Sequence, residues 1–197
     1  MSAERRTRLG RDERRTQLVA LGVLFLVDRP LEELSIDELA RRAGVSRALV
    51  FHYFGSRQGM HAEVVATARD SLLFATEPRP ELAPEERLRD TLARIVQFVR
   101  EHRGTFYSLV RGVASGDQTV RAVIDESRER NAQRLIEVFV ELGAPDSELF
   151  RVALRSWVAF AEEVLVELAL GTEMPDADIV AFLEASVGAV VGAVDAR

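Results

Sequence analysis

The sequence predicts an all-α protein with a three-helix head at its N-terminus and a longer helical body behind it. Three observations carry that expectation. Apolar residues recur at three- and four-residue intervals, without the alternation that marks strands. Breakers punctuate the second half at Gly104, Gly116, Gly143 with Pro145, and Gly171 with Pro175. Helix-capping residues stand where segments begin, most plainly in Ser35 to Arg57, SIDELARRAGVSRALVFHYFGSR.

The first helix is expected over Asp12 to Val27. Its second half, LVALGVLFLV, is apolar almost all round and needs cover on several sides. Pro30 ends it. Next, Ser35 and Glu38 have the capping-box spacing, and Leu34 with Leu39 the spacing of a hydrophobic staple. The helix they open stops at Ala43-Gly44, where glycine allows a left-handed cap. Ser46 caps a third helix at once, with Val45 and Val50 repeating the staple. Two short helices joined by a tight turn containing glycine form the helix-turn-helix pattern. The second of them enters the major groove of DNA in such motifs.

The run AGVSRALVFHYFGSRQGM after IDELA resembles the DNA-binding domain of the TetR family of transcription regulators. The resemblance covers about residues 12–65. Phe51 stands where the family usually has Tyr, Arg57 where it usually has Lys, and Pro30 where a Gly usually ends the first helix. Phe51 lacks a phosphate-binding hydroxyl, Arg57 keeps the charge, and Pro30 alters only a turn. The resemblance implies a head at residues 1–55 and a ligand-binding and dimerisation body at 56–197.

Within the recognition helix, Arg47, Ala48, Leu49 and His52 are the candidates for base edges, with Val50 and Phe54 turned inward. Arg47 suits guanine, while Ala48 or Leu49 suits a thymine methyl. Ser35, Ser46, Tyr53 and Arg57 suit phosphates, and Phe51 belongs to the same surface. Residues 1–15 carry six arginines and read as a basic arm beside the groove.

Net charge is −6, which at first opposes DNA binding. Its distribution does not. Residues 1–61 hold 11 Arg against 8 Asp or Glu, so the excess of acid lies in the remainder. A positive head on a negative body points the head toward phosphate. Without cysteine, disulfide and thiolate chemistry are excluded. The N-terminal stretch has no apolar core, and Val19 to Val27 is too short to span a bilayer, so a cytoplasmic protein without a membrane partner is expected.

A fourth helix is expected from Ser56 to Phe74, weakened by Gly59 in its first turn. A stiff loop follows at Glu77-Pro78-Arg79-Pro80. Further helices are expected over about 85–102, 104–115, 117–142, 146–170 and 175–194. In 117–142, Ser127 and Asn131 interrupt an apolar stripe, as groups lining a ligand cavity would. Phe98, Phe106, Tyr107, Trp157 and Phe160 are the aromatics available to wall it. The last two helices are apolar on more than one side, with Ala181, Ala185, Ala189, Gly188 and Gly192 as small residues. They predict a homodimer joined through residues 146–194.

No phosphate loop, catalytic triad, cofactor motif or metal-ligand cluster is present in the sequence. Glu162 and Glu163 are neighbours pointing to different sides of a helix, a poor acid–base pair expected to be solvated or interfacial. The reading that results is not an enzyme. It is a homodimeric regulator, a repressor released from a near-palindromic operator in double-stranded DNA by a small hydrophobic ligand. The alternative is a regulator without such a ligand, whose C-terminal domain binds a protein partner.

Overall fold

The computed structural model describes residues 10–111 and 117–195, and among these every regular element is helical. The helices are α1 (Arg11–Phe25), α2 (Ile36–Ala43), α3 (Arg47–Phe54), α4 (Arg57–Ala75), α5 (Pro84–Glu101), α6 (Arg103–Arg111), α7 (Gln118–Glu141), α8 (Glu148–Val164) and α9 (Asp176–Asp195). α8 runs on as a wider π turn over Leu165–Leu170. Residues 1–9, most of the anticipated basic arm, and residues 112–116, the end of the anticipated 104–115 helix, lie outside the described residues.

Caps set the boundaries. Ser35 Oγ accepts from the Glu38 amide at 3.0 Å, and Ser46 Oγ from the Leu49 amide at 3.2 Å. Gly44 ends α2 at φ 64°, the left-handed region that a side chain disfavours. The reciprocal half of the capping box is absent. Glu38 turns its carboxylate to Arg41 and Arg42, whose hydrogen bonds hold its pKa down at about 2. Charge-assisted bonds outcompete a neutral amide. α1 stops at Phe25 rather than Val27. Pro30 does not end it, but leads a 3-10 turn at Leu31–Glu33.

The head packs Leu18, Phe25, Leu31, Leu34, Leu39 and Val50 to near-complete burial. α4 closes it from below. A Cβ on Gly22 of α1 would sit 2.4 Å from Val64 of α4, so glycine is what lets these helices cross closely. In the body, α7 lies along α4, α5 and α8, while α9 lies along α5 and α8. One continuous apolar core runs through both parts.

α9 is the one helix among the described residues long and apolar enough to cross a membrane by length and composition. One side of it packs into the body through Ile179, Leu183 and Val187. Its other side is exposed.

Candidate nucleic-acid interface and ligand cavity

α3 presents Arg47, Ala48, Phe51 and His52 outward, while Val50 and Phe54 are buried on the opposite side. Leu49 and Tyr53 are half-buried along one flank. The outward residues follow an i, i+1, i+4, i+5 spacing and so share one face. Phe51 is 54% exposed, an aromatic held in solvent at the centre of that face. The Arg47 side chain reaches back to Asp37 of α2 at 3.4 Å.

Ser35 and Ser46 are occupied as caps, with their backbones at the starts of α2 and α3. Arg57 differs from expectation. Its guanidinium donates to the carbonyls of Glu32 and Leu34, bracing the turn before α2 rather than standing free for phosphate. Arg15, from the anticipated arm, is inside α1 and pairs with Glu63 of α4.

Below the head, α4, α5, α6, α7 and α8 line a mostly apolar cavity. Four of the seven anticipated residues line it: Phe106, Ser127, Asn131 and Trp157. Three do not. Tyr107 is 46% exposed, because Phe106 takes the inward position and its neighbour falls about 100° away. Phe160 is 43% exposed and meets Phe182 of α9 at 6.2 Å between ring centres, while Val158 and Ala161 turn inward instead. Phe98 is buried away from the cavity against His102. The Trp157 indole is also not a free handle, since its Nε1 donates to Ser186 of α9 at 2.9 Å.

The neighbours Glu162 and Glu163 diverge. Glu163 pairs with Arg111 at 2.9 Å. Glu162 lines the cavity, where burial pushes its pKa up and Arg128, 2.6 Å away, opposes that rise. Its side chain is mostly buried rather than solvated. Arg134 and Thr91 also line the cavity and were not anticipated. The signal for Arg134 was available: it follows Ser127 and Asn131 at helical spacing on the same face.

Among the described residues, no three His, Asp or Glu side chains are grouped so as to hold a metal. The two outstanding features are thus an exposed polar–aromatic face on a short helix and a largely apolar interior cavity.

Residues 24–64 match the family model of bacterial regulatory proteins, tetR family, and residues 84–194 match that of the tetracyclin repressor-like C-terminal domain. The chain is 32% identical over 108 residues to the HTH-type transcriptional activator FasR of Mycolicibacterium smegmatis, covering 54% of this chain and 49% of that one. It therefore spans about half the length of that curated relative. Its fold is similar to a tetR-family transcriptional regulator from Streptomyces coelicolor, with TM-score 0.75, 28% identity, and 95% and 90% of the two chains covered. A TetR-like transcriptional regulator from Rhodococcus sp. RHA1 is similar at TM-score 0.72 and 25% identity, with 96% and 99% covered.

Proposed function

The chain belongs to the TetR family of DNA-binding transcription regulators, which are not enzymes, and we propose that it acts as a homodimeric repressor released from a near-palindromic operator by a small hydrophobic ligand. The observation that carries this reading is the double use of α4. Its first half packs under the head through Met60 and Val64, and its second half lines the cavity through Arg69 and Leu72, followed by the capping residue Thr76. A ligand that repositions α4 changes where the recognition helix sits. It need only favour a head spacing that misfits DNA.

In this reading Arg47, Ala48, Leu49 and His52 meet base edges, with Phe51 against the sugar–phosphate wall. Ser35, Ser46, Tyr53 and Arg57 meet phosphates, for which Arg57 exchanges carbonyls for an anion. A second copy covers the outer side of α8 and α9. Support comes from the exposure of Leu149, Val152, Phe160 and Phe182, and from Gly188 and Gly192, whose Cβ positions meet open space. The apolar length of α9 then belongs to a subunit interface rather than to a bilayer, and the protein works in the cytoplasm, on chromosomal DNA.

The test is to let the purified chain select fragments from its own genomic DNA and to place the selected site before a reporter. Enrichment of a palindromic site that silences the reporter supports repression. Activation of the reporter, as the name of FasR would suggest, reverses the sign. The absence of any enriched site removes the reading.

A further inference from the structure

Among the described residues, three charged side chains line the cavity, and two are already matched by opposite charge. Arg69 pairs with Glu126 at 2.6 Å and Asp70 at 2.8 Å. Glu162 pairs with Arg128 at 2.6 Å. Arg134 is different. Its guanidinium donates only to main-chain carbonyls at the end of α4, Leu73 at 3.0 Å and Thr76 at 3.4 Å. Among the described residues no carboxylate lies within ion-pair distance of it. Burial lowers its pKa, and Arg94 and Arg130 push the same way against Glu77 and Glu137. Since a guanidinium does not deprotonate in proteins, this side chain is a part-buried cation with no carboxylate in contact.

Its surroundings supply the rest of an anion site. Asn131 and Ser127 precede it along the cavity side of α7. Across from them, Thr91 Oγ1 of α5 is buried with no hydrogen-bond partner. Such a group costs free energy until something bonds to it. The remaining wall toward Phe106, Trp157 and Leu165 is apolar apart from Glu162, which Arg128 already pairs.

We infer that the cavity takes a hydrophobic monocarboxylic acid, its carboxylate on Arg134 beside Asn131 and Thr91 and its chain toward Phe106 and Trp157. This rests on the reading of the cavity as the effector site. It also gives that site its lever. The donors a carboxylate recruits are those that hold the last carbonyls of α4, so the acid competes directly with the anchor of the helix that carries the head.

The test uses the full chain with the straight-chain acids hexanoate through dodecanoate, each below its micelle concentration, and the alcohols of matching length. Thermal melting reads binding, and mobility shift on the selected operator reads release. The best acid should bind about tenfold or more tighter than its alcohol, as a charge-assisted contact implies. Arg134→Gln should remove that preference while still binding the alcohol, which also shows that the variant is folded, and Arg134→Lys should restore part of it. Equal affinities for acid and alcohol in the wild type, or an unchanged acid preference in Arg134→Gln, would overturn the carboxylate assignment and leave the effector site standing. Binding of neither series would overturn both.

Discussion

The His61 ring nitrogen Nε2 lies 2.7 Å from the carbonyl oxygen of Leu34, joining the first turns of α4 to the residue just before the cap of α2. The imidazole is buried, and burial pushes its pKa below the ordinary 6.5. The Leu34 bond opposes that shift, Arg57 adds to it, and Asp117 and Glu32 oppose it. The neutral ring, with its proton on Nε2, donates to Leu34.

A pH dependence follows. The unfolded chain takes up the His61 proton near pH 6.5, and the folded chain only at lower pH. Stability should therefore fall as pH drops from 6.5 to the folded value, and level off below it. His61→Gln keeps a donor without a titrating group and should flatten this slope. Melting temperature against pH for both proteins checks it, and parallel curves would refute the role given to His61.

Gly59 stands where α4 begins against the end of α3. A Cβ there would lie 2.3 Å from the Phe54 carbonyl oxygen. Gly59→Ala should gain about 1 kcal/mol of helix propensity and lose roughly 1–3 kcal/mol to overpacking, a net loss. Urea denaturation measures it. A more stable variant would show that the α3–α4 junction has slack.

Arg47 is exposed and held only by Asp37 across a solvated 3.4 Å contact, so it is free to exchange that partner for a base. Arg47→Ala should weaken operator binding by about 1–3 kcal/mol and relax preference at one position per half-site. Binding measured on a panel of singly substituted operators would reveal it. Unchanged affinity and selectivity would remove Arg47 from the base-reading set.

Ala185 lies on the exposed side of α9, between Ala181 and Gly188. Ala185→Arg should weaken self-association by about 3 kcal/mol, the scale of an unpaired charge buried at an interface. Light scattering at micromolar concentration reads both forms. A monomeric wild type would end the argument for this interface.

The head was legible because its signals are local. Ser35, Gly44 and Ser46 act within a turn of themselves, and Leu34 with Leu39 sets the entry of α2. In the body the helices could be counted, but not every inward side could be chosen. Phe106 and Tyr107, or Trp157 and Phe160, are equally apolar in sequence, and only the neighbouring helices decide which of them turns in. Arg134 was missed because a long cationic side chain on a helix is ordinarily solvated. Gly59 was read as a weakness in α4, since the close approach of Phe54 arises between elements and leaves no mark in composition. The π turn at Leu165–Leu170 left none either.

The close crossing of Gly22 and Val64 bears on how such proteins can be recombined. A graft joining this head to a foreign sensor at residue 55 would strip away Met60, Val64 and Val65, all fully buried. It would also replace the glycine that accommodates Phe54. The splice belongs further along, beyond Ala68 and before the cavity wall begins at Arg69. There the helix passes from packing under the head to lining the cavity, and an incoming sensor would supply its own lining while inheriting a head that still fits together.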